Sequence, residues 1–199
     1  SPAEFSKIAA MHGTSAVITD PHELANVAGT DGIDYMLAAT ENLPIDVFFM
    51  IPSCVPASYV DETGATLAHT AIKKYMKNER VLGLAEMMNY PGVLSADKEV
   101  LAKLSAAAKF DKEIDGHAPG LTGPQLSAYC AAGINSDHEC TTAEEAIEKL
   151  LLGQWIMIRE GTACKNLEAL IPVLDKYPGR CVFSCDDKHP SDIIEEGHI

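Results

Sequence analysis

The stretch "KEIDGHAPGLTGPQLSAYCAAGINSDHECTTAEEAIEKLLLGQWIMIRE" (112–160) decides the fold. It holds three short β-rich runs, "KEIDG" (112–116), "GINSD" (133–137) and "QWIMIRE" (154–160), with a helical run in each gap. "LTGPQLSAYCAAG" (121–133) ends on Gly133, a C-terminal helix stop. "TAEEAIEKLLLG" (142–153) opens with Thr142 and Glu145 at the spacing of a capping box. Strand–helix–strand–helix–strand is the signature of βαβ units and a parallel sheet.

The alternation continues in both directions. "SAVITD" (15–20), "IDVFFMI" (45–51), "RVLGLAE" (80–86) and "RCVFSCD" (180–186) bring the strands to seven. Helical periodicity marks "PAEFSKIAAMHG" (2–13), "GIDYMLAATENL" (32–43), "ATLAHTAIKKYMKN" (65–78) and "SADKEVLAKLSAAAKF" (95–110), the last with Ser95 as expected N-cap. "KNLEALIPVLDKYPG" (165–179) carries Pro172, which predicts a kink or break. Such a chain folds as a doubly wound open sheet or as a (β/α)8 barrel. The glycine fingerprints of dinucleotide and P-loop sites are absent.

Composition narrows the function classes. The 199 residues are 47% hydrophobic, enough for one domain spanning 1–199 with a substantial core. A net charge of −14 argues against nucleic acid and against an anionic membrane as partners. No run reaches the roughly 18–20 apolar residues of a membrane span, and no signal-peptide pattern opens the chain. The first residues, Ser1-Pro2, point to a trimmed start. Cysteines at 54, 130, 140, 164, 181 and 185 form no C-x-x-C, so they read as buried small residues in a reducing cytoplasm.

The strand ends separate the two folds. Their C-terminal ends run into Asp20-Pro21-His22-Glu23, Pro52-Ser53-Cys54, Glu86, Asp115-Gly116-His117, Asp137-His138-Glu139, Arg159-Glu160 and Asp186-Asp187-Lys188-His189. The opposite ends are turn-like. Active sites of barrels gather at the C-terminal face from several strand ends. Glu86 follows the apolar "VLGLA" and is expected to be poorly solvated, which requires a partner or a cation. Two histidines and a carboxylate suit a metal with nitrogen and oxygen ligands. Cys181 with Cys185, and Trp155 with Met157, read as core; His12 and His69 lie on helices and receive no function.

Six segments carry a family resemblance: "DPHELANV" (20–27), "GLAEMMNYPGV" (83–93), "DGHAPGLTG" (115–123), "AGINSDHECTTAEEA" (132–146), "IMIREGTACKNLEAL" (156–170) and "DDKHPSDIIEEGHI" (186–199). They resemble the amidohydrolase superfamily of metal-dependent (β/α)8 barrels and, within it, the bacterial adenine deaminases. The resemblance implies that Glu86, His117 and His138 are metal ligands, with Glu86 able to bridge two ions. It implies that Asp186 is the proton-transferring aspartate, with Asp187 the alternative, and that His22, Glu23, Glu139, Arg159, Asp187 and His189 line the substrate pocket. The cofactor it implies is a divalent metal, manganese or iron with zinc possible, mono- or binuclear. The substrate it implies is adenine, converted to hypoxanthine and ammonia.

The family pattern opens with a strand ending in His-x-His, which these 199 residues lack. The expectation is therefore an incomplete barrel holding strands two to eight, part of a longer chain or covered by another copy, and weakly active alone. A different amidohydrolase reaction, or a non-catalytic barrel fragment, are the alternatives.

Overall fold

The computed structural model describes residues 1–199. Seven parallel strands alternate with helices in chain order: β1 (Ala16–Thr19), β2 (Asp46–Ile51), β3 (Val81–Met87), β4 (Glu113–Gly116), β5 (Ser136–Asp137), β6 (Trp155–Arg159) and β7 (Cys181–Ser184). The helices are α1 (Pro2–Met11), α2 (His22–Ala28), α3 (Thr30–Ala39), α4 (His69–Tyr75), α5 (Tyr90–Leu94), α6 (Lys98–Ala108), α7 (Gly123–Ala131), α8 (Ala143–Leu151), α9 (Leu167–Leu174) and α10 (Pro190–Glu196). All seven expected strands are present. The short helices α2, α5 and α10 have too few turns to show a periodicity, and the sequence did not announce them.

The strands form two ladders, β1-β2-β3-β4 and β5-β6-β7. A single backbone bond, Asn135 N–H to the Ile114 carbonyl at 3.1 Å, links the neighbouring edges β4 and β5. The barrel is not closed: β1 and β7 each pair with one neighbour only. Ile18, Val182 and Phe183 on these two strands are exposed as a result.

The first sheet packs on a core that includes Phe49, Ile51, Leu84, Met87, Ile72, Leu126 and Tyr129. A separate, smaller core of Cys140, Ala146, Leu150, Ile156, Ile158, Leu170 and Val173 lies under the second sheet. Both exist because strands covered by helices on one face and by barrel neighbours on the other are apolar in near-continuous runs.

Local chemistry corrects several expectations. The N-cap of α6 is Asp97 rather than Ser95; its Oδ1 accepts the Glu99 and Val100 N–H groups at 3.0 and 2.9 Å. At α8, Thr142 Oγ1 accepts the Glu145 N–H at 3.3 Å, but Glu145 does not return to Thr142. Helix α9 runs through Pro172 and stops two residues later, at Leu174. Trp155 is not core: it is 40% exposed, with the Arg180 guanidinium 5.3 Å from its ring centre. Of the six cysteines only Cys54 and Cys140 are buried, and all are free thiols.

Candidate metal centre

Glu86, one residue before the end of β3, is the hub. Its Oε2 lies 2.9 Å from His117 Nδ1 and 2.9 Å from His138 Nε2. Its Oε1 faces His22 Nδ1 at 3.8 Å. The carboxylate is 16% exposed and the two imidazoles that flank it 26% and 14%, so all three are shielded yet reachable. Burial alone would push the Glu86 carboxyl up; the hydrogen bonds from His117 and His138 outweigh it and hold the group well below the usual carboxylate range.

The β4–β5 junction brings the two histidines together. Gly116, just before His117, leaves no room for a side chain: a Cβ there would lie 2.2 Å from the Ser136 carbonyl oxygen. The missing Cβ lets β4 approach β5 closely. The rings of His117 and His138 then meet edge to face with centres 5.3 Å apart.

Backbone ties steady the segments that carry these side chains. The Tyr129 hydroxyl, fully buried, accepts the His117 N–H at 2.9 Å and donates to the Met87 carbonyl at 2.8 Å. Ser53 Oγ donates to the Glu86 carbonyl at 2.5 Å. Asp137 is fully buried; its Oδ2 accepts the Ala118 N–H at 2.9 Å and its Oδ1 the Glu139 N–H at 2.7 Å.

A second group of charges borders the first. Glu139 Oε1 stands 3.4 Å from His138 Nε2 and 3.6 Å from His117 Nδ1. The buried Arg159 grips Glu139 with both terminal nitrogens and reaches Asp186 Oδ2 at 2.6 Å. Asp186 sits at φ +50°, in the left-handed region that Asp tolerates better than most residues. At the other flank, His22 Nδ1 is bonded to Asp20 Oδ2 at 3.0 Å and Nε2 lies 3.6 Å from Glu23 Oε1. Burial lifts the Asp20 carboxyl to about 6 despite that bond. The bond to Asp20 lifts the His22 imidazole to about 9, against the opposing effect of burial.

The donor set fits a divalent cation. One carboxylate oxygen and two imidazole nitrogens converge at 2.9 Å, a separation compatible with shared ligation of one ion. Asp20 with His22 and Glu86, and His138 with Glu139 and Asp186, are further groups whose ligating atoms lie within 4.8 Å of one another. Asp20 Oδ1 is buried with no partner. The carboxylates of Asp20, Glu23, Glu86, Glu139 and Asp186 outnumber the Arg159 guanidinium and the His22 imidazolium together, so the cluster calls for added positive charge.

The structure thus brings together Glu86, His117, His138, Glu139, Arg159 and Asp186, with His22 and Glu23 on the near flank. Asp187 is exposed as a residue, and partial shielding of its carboxyl, with the charges of Asp186, Glu23 and Glu86, raises that group. His189 makes none of these contacts; it is the exposed N-terminal flank of α10, with Nδ1 on Ser191 Oγ at 3.0 Å. The sequence reading named Asp20 and Asp137 only among the strand-end residues, without a role, and missed Tyr129 and Lys149. Asp20 and Asp137 stand within one or two residues of named candidates, a signal that was present. Tyr129 and Lys149 lie mid-helix with no such signal.

The chain is 52% identical over 200 residues to the adenine deaminase of Desulfatibacillum aliphaticivorans and 52% identical over 199 residues to adenine deaminase 2 of Carboxydothermus hydrogenoformans. It is 51% identical over 200 residues to the adenine deaminase of Clostridium acetobutylicum. Each alignment covers 100% of this chain and 35% of the relative, so the chain spans about a third of the length of these proteins. Residues 1–181 match the sequence model described as the Amidohydrolase family, and the chain belongs to that family.

Proposed function

We propose that this chain is the metal-binding barrel portion of an enzyme that hydrolyses adenine to hypoxanthine and ammonia. The observation that carries the reading is Glu86 held between His117 and His138 at 2.9 Å, in a chain about half identical to proteins named adenine deaminase. Glu86, His117 and His138 would hold the cation, manganese or iron in our reading, with zinc as the alternative. When bound, such an ion acts as a Lewis acid and makes water acidic enough to ionise near neutral pH.

The chain's own residues do the rest. Asp186 takes the proton released as water adds to C6 of adenine, then returns it to the departing amine, acting as general base and then acid. Arg159 holds Asp186 and Glu139 at fixed positions, so the proton acceptor is oriented before substrate arrives. His22 and Glu23, at the first turn of α2, offer a donor and an acceptor to the ring nitrogens of a purine. Glu139 and Asp187 complete the polar wall. The seven strands would be strands two to eight of an eight-stranded barrel within one domain, and the six free thiols fit a reducing cytoplasm.

The test is an adenine-to-hypoxanthine assay coupled to metal analysis. It is run on the chain and on a version extended at its N-terminus to supply a strand bearing His-x-His. The extended form with manganese should release ammonia stoichiometric with hypoxanthine, and the chain alone far less. An extended form that binds metal and leaves adenine unchanged refutes the deaminase reading.

A further inference from the structure

We propose that Lys149, acting through Asp137, is a positioning residue that sets the separation of His117 and His138. Lys149 lies on α8 and is fully buried. Its Nζ donates to the Ala118 carbonyl at 2.9 Å and to Glu145 Oε1 at 2.8 Å, and lies 3.2 Å from Asp137 Oδ2. That same Oδ2 takes the N–H of Ala118, the residue after His117. The other oxygen, Oδ1, takes the N–H of Glu139, the residue after His138. One carboxylate therefore ties together the backbone just beyond both imidazoles, and one ammonium holds that carboxylate and the Ala118 carbonyl in place.

The burial makes the arrangement specific. Asp137 and Lys149 have no access to water. An uncompensated charge at that depth is costly, so neither tolerates a shift away from the other. Ala118 contributes both its N–H and its C=O, which leaves the loop after His117 a single orientation. Glu145 extends the frame by accepting the Gly120 N–H at 2.8 Å. Helix α8 thus does more than cover β5 and β6: its one buried cation reads out the positions of the β4 and β5 loops.

The inference rests on the reading of Glu86, His117 and His138 as metal ligands, and its test separates the two. The chain is titrated with cobalt(II), reading affinity and the ligand-field absorption bands, alongside thermal unfolding without metal. Lys149→Met keeps the aliphatic stem and removes the ammonium. Cobalt affinity should fall about 10–100-fold, as when an outer partner of a ligand is lost, and the bands should shift. Leu150→Ala is the structural control, because Leu150 is the next residue of α8 and packs only into the smaller core. It should lower the unfolding temperature and leave cobalt affinity within about twofold, well inside the loss from an outer-partner change. If Lys149→Met does not fold, Asp137→Asn decides: it keeps the Lys149 ties to Ala118 and Glu145, and it too should weaken cobalt at least about tenfold. Variants that bind cobalt as the parent does, or a Leu150→Ala loss equal to theirs, overturn the positioning role alone. A parent chain whose cobalt uptake is unchanged by Glu86→Gln overturns the metal reading beneath it.

Discussion

Glu86 presents one oxygen to two imidazoles and the other to His22, and that division makes it the residue on which the site depends. Glu86→Gln keeps the volume and removes the charge that His117 and His138 both face. Because outer partners alone are worth about 10–100-fold, loss of this inner oxygen should cut metal uptake by more than about 100-fold, measured by equilibrium dialysis with manganese. Asp186 is predicted to act on the chemical step. In the extended, active form, Asp186→Asn should lower kcat by about 10²–10⁴ with little change in KM, read from steady-state ammonia release. Glu86 stood out in the sequence because it ends the apolar run "VLGLA", where a charged group has few innocent uses, whereas His117 and His138 stood out only as histidines just beyond strand ends. Arg159 was named from the sequence, but its partners were not: only the fold shows that it grips Glu139 and Asp186. Lys149 was illegible, since an i,i+4 pairing with Glu145 looks like an ordinary solvated helix face.

Helix α8 carries a pH dependence that can be stated with its sign. Burial pushes the Glu145 carboxyl up, but Lys149 and the Gly120 N–H outweigh it, so the folded group lies below its ordinary 4.5. A carboxyl with a lowered folded pKa stabilises the fold above its unfolded value and loses that contribution as pH falls through the folded one. Glu145→Gln should therefore cost about 1.5–3 kcal/mol near neutral pH, the range for hydrogen bonds to charged groups, and progressively less below about pH 4.5. Unfolding temperatures of parent and variant, followed from pH 7 to pH 3, should converge at the acid end; parallel curves would contradict this. The elements themselves were readable where a pattern spans several turns or a full strand: all seven strands came from β-rich runs and the longer helices from periodicity. Their ends were less readable. Ser95 and Asp97 are both good caps, and only the path of the chain into α6 selects Asp97. Pro172 sits late enough in α9 that its missing N–H costs only the final turn.

At the scale of the molecule, the two edges dominate. Strands β1 and β7 each carry a row of unpaired backbone groups beside exposed apolar side chains, Ile18 at 63% and Phe183 at 51% exposure. Edges of this kind pair with other strands unless they are covered, twisted away or charged, and neither β1 nor β7 contains a charged residue. The helical layer partly bridges the gap: α1 meets the C-terminal segment, where Phe5 stacks edge-on against His198 and Thr14 Oγ1 bonds its Nδ1 at 2.8 Å. That clasp joins the helices but leaves the strand edges open. The parallel alternation and the crowding of reactive groups at one end of the strands were readable from sequence; the break between β4 and β5 was not, because β5 is only two residues long and its pairing depends on contacts distant in the chain. The chain is therefore expected to self-associate through β1 and β7, with an average mass in sedimentation equilibrium that rises with concentration. Ile18→Lys combined with Phe183→Lys should return it to monomer while leaving cobalt binding intact, since neither side chain touches the Glu86 cluster. Extension by one N-terminal strand should do the same without any substitution, because that strand would satisfy both edges at once. A parent chain that stays monomeric across the concentration range would show that the clasp of α1 against the C-terminus is enough to shield the gap.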